Sequence, residues 1–346
     1  MPRTAKHLWE HVISWENLVE AYHETRKGKR YKPEVMRFHR RWEEEILNIH
    51  NHLVWESWQP KPFTAFTVFE PKVRLIEAPA LTDRIVHHAL HRVVEPLFER
   101  RFIHHSYACR KGKGTHAATT AVQGMLRRAQ AKWGRVYVLQ GDIARYFPSI
   151  DQHRLIRQLE RVIGDRRVLE LWKRIIFAQG ADGVGLPIGA LTSQLAANVY
   201  LDVLDHYVTD DLGFGFYARY MDDWVIMGPD KAQLWRLLEH LTLWLDDELG
   251  LVINPKSTVY PAAQGIDFAG YRTWTTHVLP RKRNVTAARR RMLGLVNGYH
   301  AGRVTAEEIA ASWASFAGYT KHCQAARTRA AIAEEIRQAA EAPPIL

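Results

Sequence analysis

The chain has 346 residues, 47% hydrophobic and 25% charged, a balance that fits a globular protein with a large core and two or three structural units. Its 48 Lys+Arg against 37 Asp+Glu give a formal charge of +11, an excess that favours polyanions and most often nucleic acid. Two cysteines, Cys109 and Cys323, exclude a disulfide framework and a cysteine-based zinc site, and no apolar run reaches the length of a membrane span or follows the amino terminus as a signal segment. A cytoplasmic location without a membrane partner is expected.

Residues 7–56 read as two helices split by the basic stretch Arg26-Lys27-Gly28-Lys29-Arg30-Tyr31-Lys32-Pro33. Their charge clusters suit a solvated surface or a nucleic-acid-facing arm. Phe63 to Ala78 reads as a hairpin turning at Glu70-Pro71-Lys72, and helical patterns follow at 81–100 and 115–132. Arg135 to Gln140 is a β-rich run that delivers Gly141-Asp142 at its carboxyl end. Helices are expected at 151–178, broken near Gly164, and at 190–212. Phe214, Phe216, Ala218 and Tyr220 then alternate with smaller or more polar residues, and Trp224 to Met227 form an apolar run. The tetrapeptide Tyr220-Met221-Asp222-Asp223 therefore sits at the turn of a hairpin. Leu234, Leu237, Leu238, Leu241, Leu245 and Leu249 make a helical stripe that packs a core. Short strands are expected near 257–260 and 266–271, and helices across most of 285–341. The whole reads as an α+β or α/β core with a helical tail.

Two adjacent carboxylates in a hairpin turn call for an explanation, because Asp is a poor strand residue and like charges repel. An Asp-rich tight turn is one account. A cation between the side chains is another, and Mg²⁺ favours carboxylate oxygens together with substrate phosphates. Asp142 is the candidate third carboxylate. It lies 80 residues before Asp222 (222 − 142), enough for crossover helices to return a strand beside the first. Two such strands would hold Asp142 and Asp222 across a pair of Mg²⁺ ions, one activating a hydroxyl and the other stabilising a leaving pyrophosphate.

With these residues in view, the chain resembles the reverse transcriptases. Asp142-Ile143-Ala144-Arg145-Tyr146-Phe147 resembles the palm motif of the first metal ligand, and Tyr220-Met221-Asp222-Asp223 the family's tyrosine–X–aspartate–aspartate motif. Gly185-Leu186-Pro187-Ile188-Gly189-Ala190-Leu191-Thr192-Ser193-Gln194 resembles the loop and helix that contact nucleotide and template. Asn254-Pro255-Lys256 and Gly265-Ile266-Asp267-Phe268-Ala269-Gly270-Tyr271 resemble the late palm segment and the primer grip. The resemblance implies a right-hand polymerase fold, with a helical extension over 1–59, fingers and an antiparallel palm sheet over 60–275, and a helical thumb over 276–346. It implies two Mg²⁺ ions on Asp142, Ile143, Asp222 and Asp223, with Lys256 as a proton donor to pyrophosphate. Lys72 and Arg74, two apart on a strand and so on one side of it, would hold the triphosphate of a deoxynucleotide. Phe147 would gate the sugar or fill the core, or both. Ile188, Gly189 and Gln194 would border the nucleotide, and Phe268, Gly270 and Tyr271 the primer.

One departure narrows the resemblance. Many reverse transcriptases carry glutamine before the glycine of the loop and serine–proline at its end; here Ile188 stands first and Gln194 last. That pattern resembles the reverse transcriptases of diversity-generating retroelements, which implies cDNA synthesis prone to error at template adenines. It also implies a small basic accessory protein oligomer and a structured retroelement RNA as partners beside the RNA template and its DNA or RNA primer. Retron, abortive-infection and group II intron-derived enzymes, or a catalytically idle RNA-binding module, are the alternatives. Ile188 as ordinary loop packing also stays open. Arg281, Lys282 and Arg283, with Arg289, Arg290 and Arg291, suit contacts to the backbone of a primer–template duplex. His87, His88, His91, His104 and His105 lack the cysteine or carboxylate pattern of a zinc site.

Overall fold

The computed structural model describes residues 4–69, 73–178, 180 and 182–341. Residues 4–54 form four helices where two were expected: α1 (Trp9–Ile13), α2 (Trp15–Arg26), α3 (Pro33–His39) and α4 (Trp42–Val54). Ser14 causes the first division, its hydroxyl accepting from the Asn17 amide as the cap of α2. Pro33 opens α3 at the position where a missing N–H costs nothing. The hairpin of β1 (Thr64–Val68) and β2 (Arg74–Ala78) pairs Val68 with Arg74, and Lys72 lies outside the described residues with the rest of its turn. The helices α5 (Leu81–Glu99) and α6 (Thr115–Trp133) follow where their periodicity put them.

Then come β3 (Tyr137–Gly141), the single turn α7 (Tyr146–Ser149), α8 (Gln152–Glu160), α9 (Arg166–Phe177) and α10 (Leu191–His206), which runs on into a π-helical turn at Tyr207–Asp211. Asp165 makes the break between α8 and α9. Its carboxylate accepts from the amides of Arg167 and Val168 at the head of α9, and of Leu8 and Trp9 at the head of α1. One side chain thus caps two helices that are 156 residues apart.

The hairpin β4 (Tyr217–Tyr220) and β5 (Asp223–Gly228) leads to α11 (Lys231–Leu249), capped by Asp230 and ended by Gly250 in the left-handed region. The strands β6 (Thr258–Pro261), β7 (Ile266–Phe268), β8 (Tyr271–Thr273) and β9 (Val278–Pro280) follow. The stretch expected as one strand near 266–271 turns back at Ala269-Gly270, giving an antiparallel pair that β9 completes. The helices α12 (Lys282–His300), α13 (Ala306–Thr320) and α14 (Ala326–Glu341) finish the described chain.

The central sheet is antiparallel in the order β4-β5-β3-β6. Alternation along its strands separates two cores. Leu139, Trp224 and Ile226 face the larger one with α10 and the leucine stripe of α11, while Val138, Val225 and Met227 face α6. The last three helices bury a small core of their own around Met292, Phe316 and Ile332. No helix among the described residues is long and apolar enough to cross a membrane.

Candidate active site

Strand pairing brings the carboxylates together. The register of β3 on β5 sets Gly141 opposite Trp224, so Asp142 leaves β3 level with Asp223, and the two-residue turn Met221-Asp222 lies just beyond. Gly141 is required here by close approach: a Cβ on it would stand 2.0 Å from the buried indole of Trp224. Asp142 is then fixed from the far side. The amide and Nδ2 of Asn254 donate to its carbonyl (2.7 Å) and to its Oδ2 (2.8 Å), while its own amide donates to Ser257 Oγ at 3.2 Å. Ile143, whose side chain is in the core, makes a main-chain bridge to Ile253.

Electrostatics record the crowding. Burial, with Asp142 and Asp222 beside it, pushes the Asp223 carboxyl up to about 7; Arg281 acts weakly the other way. A cation would relieve that repulsion, so the donor set fits one. Among the described residues no three acidic, imidazole or thiol groups converge into a ready coordination sphere.

Around this centre the other candidates fall into three groups. Phe147 is half-buried and packs edge-on against Tyr146, whose hydroxyl donates to the Ala197 carbonyl at 2.5 Å; the Phe147 carbonyl accepts from the Leu186 amide at 2.9 Å. The loop carrying Ile188 docks on the finger-like hairpin. The Ile188 carbonyl accepts from the Glu77 amide, and Gly189, at φ 135°, lies so close that a Cβ would meet the Glu77 carbonyl oxygen at 2.8 Å. Gln194 is half-buried in the first turn of α10, Arg74 is exposed at the start of β2, and Lys256 is exposed just past Asn254.

The second group is the turn between β7 and β8. Phe268 and Tyr271 are buried, so neither ring presents itself on the surface. The hydroxyl of Tyr271 donates to the Tyr319 carbonyl, and that of Tyr319 to the Gly270 carbonyl, binding this turn to α13. The third group is the basic start of α12. Arg281 is paired with Asp267 and largely buried, and Arg289 is paired with Glu335. Lys282, Arg283 and Arg290 are exposed. Arg290 and Arg291 line a groove of about 490 Å³ with Asn284, Ser315 and Tyr319.

Sequence reasoning passed over the polar cluster behind the Asp222 turn. Arg219 in β4 and Asp205 in α10 are both fully buried and form an ion pair. Tyr217 donates to the same carboxylate at 2.6 Å. The signal was a charged residue inside each apolar run, the kind of buried polar group that carries information. Met221, the first turn residue, has a φ of 58°, a left-handed conformation that costs a side-chain-bearing residue about 1–2 kcal/mol.

Comparison with known proteins agrees with this geometry. A family model described as reverse transcriptase (RNA-dependent DNA polymerase) matches residues 60–273. Protein YkfC of Escherichia coli is 28% identical over 274 residues, covering 66% of this chain and 71% of that one. The group II intron-encoded protein LtrA of Lactococcus lactis is 26% identical over 176 residues, covering 48% of this chain and 28% of LtrA. Among solved structures, a telomerase from Candida albicans aligns over 82% of this chain and 60% of its own at a TM-score of 0.46 and 11% identity.

Proposed function

The chain belongs to the reverse transcriptase (RNA-dependent DNA polymerase) family, and from that premise we propose that it extends a primer on an RNA template with deoxynucleotides at the Asp142–Asp222 centre. The observation that supports this most is the crowding of Asp142, Asp222 and Asp223 on paired strands. Asp142 and Asp222 would hold two Mg²⁺ ions, with the main chain at Ile143 and the Asp223 carboxylate alongside. The chemistry such ions supply when bound is activation of the primer 3′-hydroxyl and stabilisation of the leaving pyrophosphate. Asn254 keeps Asp142 oriented for that task. Lys72 and Arg74 neutralise the triphosphate, and Lys256 gives pyrophosphate its proton. Phe147, half-buried beside Tyr146, would gate the nucleotide sugar by colliding with a ribose 2′-hydroxyl. In this reading residues 60–275 are fingers and palm and 276–346 a thumb, with the turn at Gly270 against the primer. Lys282, Arg283 and Arg290 neutralise duplex phosphates, while Arg281 and Arg289 stay with their acidic partners. The proposed setting is the cytoplasm.

Two retroelement types are proposed for the biological role. The intron-encoded relative favours a group II-derived enzyme, although this chain spans under a third of its length. The loop Ile188 to Gln194 favours a diversity-generating retroelement, with its accessory protein and structured RNA. The aliphatic side chain of Ile188, in a loop that docks on β2 through main-chain contacts at Glu77, supports that second reading. Ile188 offers only shape where glutamine offers hydrogen bonds, and strong rejection of a wrong partner requires hydrogen bonds that it leaves unmade. Copying a defined RNA and sequencing the cDNA separates the two. Errors concentrated at template adenines, reduced in an Ile188→Gln variant, support the mutagenic type; an error spectrum that the substitution leaves unchanged removes that role from Ile188.

A further inference from the structure

Arg219 uses every donor it has. Its Nε and one Nη2 hydrogen reach the two carboxylate oxygens of Asp205, both at 2.6 Å, in a bidentate pair. The remaining Nη2 hydrogen points to the Asn198 carbonyl at 3.4 Å. From Nη1, one hydrogen goes to Asn198 Oδ1 at 3.2 Å and the other to the carbonyl of Met221 at 3.0 Å. A guanidinium has five N–H donors in a rigid fork, so the group is saturated. Four of its bonds end on α10, and the fifth ends on the strained residue of the turn that carries Asp222.

The backbone of Arg219 is tied as firmly. Its amide donates to the His105 carbonyl and its own carbonyl accepts from the Tyr107 amide, so the 105–107 segment adds to the outer edge of β4. Asn198 donates in turn to the Ala108 carbonyl at 2.8 Å. Helix α10 begins with the Ile188–Gln194 loop at its head and passes Asn198 and Asp205 two and four turns later. The arginine therefore joins the nucleotide-contacting helix to the metal-bearing turn through rigid parts.

We propose that Arg219 is a positioning residue for catalysis: it fixes the Met221-Asp222 turn against α10 and so sets Asp222 and Asp223 relative to Asp142 and the nucleotide loop. This rests on the polymerase reading above. A buried ion pair contributes little to stability beyond what a matched apolar set would, so its removal as a set separates positioning from folding. Misplacing reacting groups by about 1 Å costs on the order of a hundredfold in rate.

The test uses the full chain in two variants, Arg219→Lys and the apolar set Asp205→Leu, Tyr217→Phe, Arg219→Met. Melting temperature, primer–template affinity by fluorescence anisotropy, kcat and KM for dNTP, and amide hydrogen exchange at residues 220–224 are measured for each. The expected result is a folded chain with primer–template affinity unchanged and kcat lowered about 30-fold or more. KM should change less than threefold, and the amides at the turn end of the β4–β5 pair, within residues 220–224, should exchange at least tenfold faster. A folded variant that keeps kcat within twofold, or whose turn amides stay as protected as in the parent, overturns the proposal. Failure of both variants to fold overturns it too, since the arginine would then serve the core alone. Absence of polymerisation by the parent chain would instead sink the polymerase reading, while the exchange measurement would still decide the role of Arg219.

Discussion

Replacing Gly141 with alanine adds one methyl group at the point where β3 and β5 touch beside the three carboxylates. The new Cβ would stand 2.0, 2.3 and 2.4 Å from three atoms of the Trp224 ring. Carbon atoms rest at about 3.5–4.0 Å, so the indole or the β3–β5 pairing must give by about 1.5 Å. The ring has no room to do so, being fully buried in the larger core beside Ile226 and Leu139. Its Nε1 makes no hydrogen bond among the described residues, so packing alone holds it. Overpacking of this kind costs about 1–3 kcal/mol, and the size of the overlap puts Gly141→Ala near the upper end. Activity should suffer more than stability, because the displaced strands carry Asp142 and Asp223, and a shift of about 1 Å lowers the rate on the order of a hundredfold. Urea denaturation followed by circular dichroism reads the first effect and primer extension the second. Shrinking the ring in a Gly141→Ala, Trp224→Leu double variant should recover part of both. A single variant within 0.5 kcal/mol and twofold of the parent would refute the packing argument (limits set at about the scatter of neutral substitutions).

Asp165→Ala removes an acceptor shared by four amides at two helix heads and should cost about 2–3 kcal/mol, with faster proteolysis within residues 4–26. Those hydrogen bonds hold the Asp165 carboxyl below its ordinary value, against the effect of burial. Its contribution is therefore complete above about pH 4 and is lost as the pH falls toward the lower folded value; a parent chain and variant that diverge on acidification would contradict this. His87 behaves oppositely. Burial pushes its imidazole from 6.5 down to about 3, so the unfolded chain takes up a proton that the folded chain refuses. Stability is then full above pH 6.5 and declines below it by about 1.4 kcal/mol per pH unit, or ~2 kcal/mol by pH 5. Urea midpoints at pH 7 and pH 5 should show this loss in the parent and not in His87→Gln; equal losses in both would assign it elsewhere.

Elements with a clear period are legible in the amino-acid sequence. The leucine stripe, the hairpin at Tyr220 and the β-rich run ending at Gly141 all lie where the sequence pattern put them, because the stripe buries one face of a helix and the strands, covered on both faces, are short apolar runs. The amino-terminal region was legible only in class. The split from Arg26 to Pro33 lies where the basic stretch put it, whereas the divisions at Ser14 and at Arg40-Arg41 are local events that the broad charge pattern conceals. The strand near Phe268 doubled back because a two-residue turn leaves little trace in hydropathy. Of the site, the carboxylates stood out because Asp is costly at a strand end. Asn254, Arg219 and Asp205 did not, because their roles depend on contacts across 112 and 14 residues of chain. Exposure was the hardest property to read. Arg281 was expected to meet a duplex backbone and is paired with Asp267, and Tyr271, which could have met the primer or filled the core, is buried.

The most direct test is primer extension on an RNA template with Mg²⁺ and dNTPs, comparing the parent chain with Asp142→Asn and Asp222→Asn. Each carboxamide keeps the shape of the side chain and removes the charge that would hold a cation. The parent should make full-length DNA, and either variant should lose synthesis by at least a thousandfold, on the order expected when catalytic electrostatics are removed. Melting temperatures should hold or rise, since crowded like charges are relieved. Extension by Asp222→Asn at the rate of the parent would contradict a metal-binding role for Asp222.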